Sequence, residues 1–363
     1  MLICGTEKMG YHLYKCPNCR MELQVFHTCK SRFCPSCGIA QTKQWVEKFE
    51  FLFCNTSYKH IVFHPPEEFR DYFGIGKTPY FNMLFAIVHQ TLRGWYEKKG
   101  YLPGIMAVIH TFGRDEKFTP HIHCLMTCGG LDTTQTKWIT ISDGYIDYDF
   151  LRFHFKANFL KGIRELWQEQ LLEKIPMKLR FLFTPLYQNK IVQIVLEKTW
   201  YVWVSKKLAN AYYAVKYIAR YTKRPPIAES RITDYDGALV TFTFIDHKTD
   251  KPTVITLPVE DFIGKIIRHI PDENFRVIRY YGLFANRVRG ELLPKVFTLL
   301  GQNYAKAIER FLATSSSFWR RQLELFTRLD PLICPVCFVP FELISIMYTT
   351  HYNGPNPSDS GIR

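Results

Sequence analysis

The sequence predicts an α+β fold, an antiparallel sheet with helices packed on it, preceded by a small cysteine-rich unit. Three observations predict it. Thr119-Pro-His-Ile-His-Cys-Leu-Met126 reads as a strand with two imidazoles on one face, because residues two apart in a strand return to the same side. Tyr213-Ala-Val-Lys-Tyr217-Ile-Ala-Arg-Tyr221-Thr-Lys-Arg224 has helical spacing, which stacks Tyr217 and Tyr221 on one face with Tyr213 continuing the row. Ahead of both, Cys16-Pro-Asn-Cys19 and Cys34-Pro-Ser-Cys37 form two Cys-x-x-Cys knuckles.

Composition narrows the partner. At 363 residues the chain can bury a substantial core and hold two or three units. A net charge of +14 on a chain that is only 22% charged and 47% hydrophobic describes a folded protein with a polyanionic partner, not a disordered basic tail. An aromatic fraction of 16% leaves rings available for base stacking. No apolar run is long enough to span a bilayer, and Met1-Leu-Ile-Cys4-Gly lacks the regions of a signal peptide, so a cytoplasmic location is expected. Eleven cysteines in such a chain suggest metal sites rather than disulfides.

Residues 1–45 form the first expected unit. Each knuckle presents two thiolates from one tight turn, which suits tetrahedral zinc, so this unit is zinc-ribbon-like and its folding depends on the metal. Cys4, His12, His27 and Cys29 are further candidate ligands, and Lys15, Arg20, Lys30 and Arg32 suit a grip on DNA.

Residues 46–230 form the expected catalytic core. A helix leads in from Gln44. Tyr58–Phe63 reads as a strand closed by His64-Pro65-Pro66, since an X-Pro pair cannot continue a central ladder. Phe81–Lys98 is helical in its apolar spacing, and Gly104–Thr111 is a strand placed beside the His121 strand by a short loop through Arg114–Lys117. That adjacency makes His110 a candidate third metal ligand; His60, His64 and a Gln or Glu elsewhere compete. Asp149–Lys174 reads as a long helix with Phe153, Phe159, Ile163, Leu166 and Leu171 inward, and Trp200–Ser205 as a strand. Lys206-Lys207 precede the tyrosine helix, which Pro225-Pro226 ends. Lys216, Arg220, Lys223 and Arg224 flank the tyrosines and are candidates to hold phosphate.

Over residues 231–330, Leu239–Phe244 and Thr253–Leu257 alternate as a hairpin, followed by helical stretches Val259–Ile270, Tyr304–Ala313 and Trp319–Leu329. Arg268, Arg276, Arg279, Arg287 and Arg289 interleave with Phe275, Tyr280, Tyr281 and Phe284, the mix of charge and stacking faces that suits a single-strand groove. In residues 331–363, Cys334-Pro-Val-Cys337 is a third knuckle, followed by a β-like apolar run and a loose tail from Asn353. The third knuckle either completes a second zinc with spare ligands such as Cys4 and Cys29 or is an inactive remnant.

The His strand and the tyrosine helix together suit cleavage of a DNA strand by a tyrosine. A phenol ionises only near pH 10, so it needs a polarised target, and a metal held by two histidines and a third ligand can polarise a scissile phosphate. The product conserves bond energy in a phosphotyrosine link, and two tyrosines allow two links. Imidazoles alone also suit zinc. The sequence has no Walker loop, no internal repeat and no acidic triad for two-metal cutting.

These residues resemble the HUH single-strand endonucleases, named for His-hydrophobe-His, and within them the two-tyrosine transposases of rolling-circle insertion sequences. The similarity runs in order along the chain. His110-Thr-Phe-Gly113 with Thr119-Pro-His-Ile-His-Cys-Leu125 and Gly129-Gly130-Leu131 resembles that family's metal block. Tyr217-Ile-Ala-Arg-Tyr221-Thr-Lys-Arg224 with Ile227-Ala228 and Arg231 resembles its tyrosine block, and Phe275–Arg287 its C-terminal signature. Cys4, His12 and Cys29 stand at matching positions, which hints at a second zinc. One departure is a short start, where relatives carry a helical leader.

The resemblance implies an antiparallel-sheet HUH core and magnesium or manganese at His121, His123 and His110. It implies a rolling-circle transposase in which Tyr217 or Tyr221 nicks and rejoins single-stranded DNA at transposon ends through a 5′-phosphotyrosine. Its partners would be transposon ends and target DNA in the bacterial cytoplasm, associated with the nucleoid, with no membrane. A replication initiator or relaxase would share the chemistry, but the cysteine cluster and C-terminal signature disfavour it; a non-enzymatic zinc-ribbon DNA binder would need neither the His pair nor the tyrosines.

Overall fold

The computed structural model describes residues 3–31, 34, 37–38, 42–46, 53–113, 115–141, 144–169, 172–222, 225–246, 249–315, 320, 324 and 330–348. The expected helix Trp319–Leu329 and the tail from Asn353 lie outside or almost wholly outside these residues, as do Arg32 and Leu171. The first half of the chain contributes β1 (Gly10–Lys15), β2 (Glu22–Phe26), β3 (Tyr58–His64), α1 (Arg70–Ile75), α2 (Lys77–Lys98), β4 (Tyr101–Leu102), β5 (Gly104–Phe112), β6 (Phe118–Thr127), β7 (Gly129–Asp132), β8 (Trp138–Thr140) and α3 (Tyr148–Glu169). The second contributes α4 (Pro185–Glu197), β9 (Tyr201–Val204), α5 (Ala211–Thr222), β10 (Ile232–Tyr235), β11 (Leu239–Ile245), β12 (Pro252–Pro258), α6 (Val259–Arg268), β13 (Ile278–Gly282), α7 (Arg289–Leu299), α8 (Tyr304–Ser315) and β14 (Glu342–Tyr348).

The central sheet has the order β13-β5-β6-β3-β9, and all its pairs are antiparallel. Both faces are covered, so β5 is buried at every position and reads as a continuous apolar run. One face, carrying Ile61, Phe63, Ile105, Ala107, Ile109, Ile122 and Cys124, packs against α2 and α3. Phe63, Phe155, Phe159 and Trp200 interlock there, with ring centroids 5.1 to 5.6 Å apart along Phe63–Phe155–Trp200; each such pair adds about 1 kcal/mol beyond its burial. The opposite face, with Met106, Val108 and Leu125, packs against α5 and α7.

Helix α3 differs from the expected face. Its inward row is Leu151, Phe155, Phe159, Ile163 and Trp167 at four-residue spacing, which leaves Phe153 on the opposite side and 69% exposed. Among the described residues the helix runs from Tyr148 to Glu169, and Leu172–Lys174 form a 3-10 turn. The expected hairpin after residue 231 is present as β11 and β12, paired from Leu239↔Pro258 to Ile245↔Pro252, with β10 added as a third strand. At Gly282 the backbone has φ +58 and a side chain would run into the Pro103 carbonyl oxygen, so only glycine lets β13 close on the sheet.

A three-stranded sheet has the order β14-β1-β2, so the last described strand pairs with the first. Residues 342–348 therefore share a sheet with strands of the N-terminal unit.

Candidate metal centre and tyrosine helix

Strand alternation gathers five imidazoles on the α5 side of the sheet. His121 and His123 lie on β6; His110, opposite His121, lies on β5; His60, opposite Leu125, and His64 lie on β3 and flank Val62, which pairs with His123. The side-chain nitrogens of His110, His121 and His123 can be taken within 4.8 Å of one another, with His110 Nδ1 3.3 Å from His121 Nε2. The outer pair supports this group. His60 Nε2 lies 2.8 Å from His123 Nδ1 with the rings nearly parallel, and the His64 ring stacks on His121 at 5.2 Å.

Hydrogen bonds fix the orientation of the rings. His121 Nδ1–H donates to the Thr119 carbonyl at 2.6 Å, which leaves Nε2 to face His110. His64 Nδ1–H donates to the Pro65 carbonyl at 2.8 Å. Burial disfavours the charged form of these rings: it pushes His60 down to about 3, helped by His121, and His121 to about 3, helped by His64. His123 is held well below the usual range by burial and by its four histidine neighbours. Imidazoles converging from two adjacent strands, with the outer nitrogen of His121 held by a carbonyl and that of His123 by a second imidazole, are a donor set that fits a divalent cation.

Helix α5 lies across β5, β3 and β6. Asn210 starts it by accepting the Tyr213 N–H on its side-chain oxygen at 3.2 Å. The small side chains Ala211, Ala214 and Ala219, buried with Val215 and Ile218, let it sit close to the sheet. Tyr217 is half-buried and its ring centroid is 4.8 Å from that of His60. Tyr213, one turn earlier, is 57% exposed, its ring edge-on to that of Tyr212. Tyr221 continues the helix, but its side chain and that of Arg220 are outside the described ones, as are Lys223 and Arg224 altogether. Lys216 turns back along the helix, its Nζ 5.4 Å from the centre of the Tyr212 ring.

Two rings that the sequence reading did not single out complete this face. Register pairs Val62 with Trp203 and His64 with Tyr201, so edge strand β9 places Trp203 and Tyr201 beside His60 and His64. Both are exposed, 38% and 55%, while Trp200 and Val202 on the other face are buried. The two-residue spacing of Tyr201 and Trp203 in a strand was the available signal; the pairing of β9 with β3 was not.

The C-terminal arginines divide between faces. Arg279 stands opposite Ala107 on β13, on the side of α2; it donates to Asn82 and lies 4.3 Å from the centre of the Phe85 ring. It therefore braces the sheet on the side away from the histidines, which corrects the expectation that it lines one groove with Arg276 and Arg287. Those two are exposed. Arg231, from the tyrosine block, pairs with the buried Glu116 at 2.9 Å and donates from Nε to the Thr243 carbonyl. It ties β10–β12 to the loop that precedes the His121 strand.

Eight of the eleven cysteines form two tetrads. Cys4, Cys29, Cys34 and Cys37 make one, and Cys16, Cys19, Cys334 and Cys337 the other; within each, the sulfurs lie within 4.8 Å of one another. The expectation that Cys16-x-x-Cys19 and Cys34-x-x-Cys37 share one site is thus corrected: each knuckle finds its partners elsewhere. His12 joins neither tetrad; its Nδ1 lies 3.1 Å from His27 Nε2.

Comparison with known proteins gives these features a setting. Residues 1–64 match the family described as "Transposase zinc-binding domain". Residues 104–291, from β5 to the start of α7, match the family described as "Putative transposase". The transposase for insertion sequence element IS801 of Pseudomonas savastanoi pv. phaseolicola is 30% identical over 342 residues, 93% of this chain and 80% of that protein. The "Putative transposase y4qJ" of Sinorhizobium fredii (strain NBRC 101917 / NGR234) is 28% identical over 358 residues, 97% of this chain and 89% of that protein. No solved structure matches. The matches span the cysteine tetrads' N-terminal share, the histidine strands and the tyrosine helix together, and the chain belongs to this family of insertion-sequence transposases, with their zinc-binding domain at its N-terminus.

Proposed function

We propose that this transposase is an HUH nuclease that nicks and rejoins single-stranded DNA at the ends of its element, with Tyr217 as a nucleophile. The observation that carries the reading is the contact of Tyr217 with His60, whose own nitrogen meets His123: it brings the phenol to the edge of the imidazole cluster. His110, His121 and His123 would hold a magnesium or manganese ion. When bound, it would supply Lewis-acid polarisation of the scissile phosphate and stabilise charge on the leaving oxygen.

The chain's own residues do the rest. Tyr217 Oη attacks phosphorus, forming a 5′-phosphotyrosine and releasing a 3′-hydroxyl. His60 is a positioning residue: it holds His123 in one tautomer and supports the Tyr217 ring. Tyr221, one turn along α5, receives the second strand end. Trp203 and Tyr201 stack the bases that flank the cleaved phosphate, and Arg276, Arg287 and the basic end of α5 contact the backbone. The substrate places the protein with DNA in the bacterial cytoplasm; among the described residues no helix is long and apolar enough to cross a membrane.

The test is incubation with labelled single strands from the element's ends, with manganese or with chelator, followed by denaturing electrophoresis and peptide mapping. A manganese-dependent adduct on Tyr217 or Tyr221, lost in His121→Ala, supports the reading. Tight binding without an adduct under any metal would replace it with a non-enzymatic DNA-binding role.

A further inference from the structure

We infer that Cys16, Cys19, Cys334 and Cys337 hold a structural zinc ion that joins the two ends of the chain into one module. The matched zinc-binding domain ends at residue 64, so half of this site lies far outside it. The inference does not depend on which residue cleaves DNA.

Sulfur positions point to it first. Cys16 and Cys334 are fully buried, Cys19 Sγ is 3.5 Å from Cys334 Sγ, and the four sulfurs lie within 4.8 Å of one another. Four thiolates on tetrahedral zinc, at about 2.3 Å each, stand about 3.8 Å apart. A disulfide needs about 2.0 Å, and all four cysteines are free.

Backbone geometry points to it independently. The two knuckles are copies of one another. In each, the residue after the second cysteine has positive φ, Arg20 at 64° and Phe338 at 56°, a conformation that bulky side chains avoid. In each, that residue's N–H donates to the first cysteine's carbonyl, at 3.0 Å from Arg20 to Cys16 and 2.9 Å from Phe338 to Cys334. In each, the first cysteine's N–H donates to the carbonyl five residues on, Cys16 to Met21 and Cys334 to Val339, both at 2.9 Å. Such a turn wraps amide hydrogens around the sulfurs; Cys19 N–H approaches Cys16 Sγ at 3.5 Å. The Cys34 knuckle shares the bond from Gly38 N–H to the Cys34 carbonyl, at 2.8 Å, but Gly38 is helical and without the positive φ of Arg20 and Phe338. Two like knuckles facing each other across one sulfur tetrad suit a tetrathiolate zinc site.

The site explains how β14 is retained. It pairs with β1 from Gly10↔Tyr348 to Lys15↔Glu342, yet six of its seven residues are exposed, among them Leu343, Ile344 and Met347. So thin a sheet buries little apolar surface and needs a staple. The zinc supplies it, and through it the transposase's C-terminal segment completes its N-terminal module.

The experiment is zinc analysis of the purified full-length protein after removal of loosely held metal. Two zinc ions per chain are expected, one for each tetrad, and Cys334→Ser with Cys337→Ser should leave one. Zinc content unchanged in that variant, one ion in the parent, or iron in place of zinc would overturn the inference. Should the variant not fold, maleimide labelling of the unaltered protein decides. Cys334 and Cys337 should resist labelling until chelator is added, then react at the same rate as Cys16 and Cys19. Immediate labelling of Cys334 and Cys337, or release at a rate of their own, would refute a shared ion.

Discussion

His60 Nε2 lies 2.8 Å from His123 Nδ1, with the two rings 7° from parallel. The bond joins the strand that carries the His pair to the strand beside it and turns the far edge of His123 toward His110 and His121. Its partner on the other side is Tyr217, so one buried side chain touches both the candidate metal group and the candidate nucleophile.

Outer partners of a ligating histidine are worth 10- to 100-fold in metal affinity. His60→Ala should therefore weaken manganese binding by about that factor, read by titration calorimetry. Tyr217→Phe, which keeps the ring contact, should leave it unchanged. Equal manganese affinity in His60→Ala and the parent would remove His60 from the site.

Tyr217→Phe should abolish its share of the covalent adduct, a loss on the order of 10⁴-fold or more in cleavage rate if it is the first nucleophile, while uncleaved single-stranded DNA still binds. Parent-level adduct in this variant, mapped to Tyr221, would assign the first step to Tyr221. Loss in neither single variant but in the double would make the tyrosines interchangeable.

Trp203 and Tyr201 stand on an edge strand in line with His60 and His64. Base stacking on an aromatic ring contributes about 1–3 kcal/mol, so Trp203→Ala should weaken single-strand binding by roughly 5- to 150-fold. A phosphate contact such as Arg287→Ala should instead flatten the dependence of affinity on salt. A Trp203→Ala variant that binds normally would move the strand's path off β9.

Much of this was legible because it is local. A period of two placed His121 and His123 on one face, and a period of 3.6 placed Tyr217 on a helix, because each pattern needs only its own neighbours. What escaped depends on pairings between distant segments. Cys19 and Cys334 are 315 residues apart, and no local feature says which knuckle faces which. The choice of face for Arg279 follows from its register with Ala107, and the nearness of His60 from the order β5-β6-β3. In α3, Phe153 is as apolar as Phe155; only the packing of the sheet below selects the row.

Acid should loosen the metal-free protein. Burial lowers His60 and His121 to about 3 in the fold, against about 6.5 when unfolded. Between those values the unfolded chain binds more protons, so stability is full above pH 6.5 and is lost as pH falls toward 3. The cluster should cost on the order of 2 kcal/mol between pH 6.5 and 5, read as a falling Tm. His60→Gln should flatten that fall, and a slope unchanged by it would place the titration elsewhere.

The Arg231–Glu116 pair predicts the opposite pH trend at a neighbouring site. The Glu116 side chain has no solvent exposure, and burial lifts its carboxyl to about 7 against the pull of Arg231. In Arg231→Ala the opposing charge is gone, so the fold retains the proton on Glu116 to higher pH still. A carboxyl raised above its unfolded value of about 4.5 contributes stability at low pH that is lost as pH rises through its folded value. Arg231→Ala should accordingly cost little at pH 5 and about 3 kcal/mol at pH 8, where a lone buried charge must otherwise form. Urea denaturation at the two pH values measures the difference. Glu116→Gln added to Arg231→Ala should recover most of the loss at pH 8, because it removes the charge and keeps the shape; equal losses at both pH values would show that Arg231 acts through its bond to the Thr243 carbonyl instead.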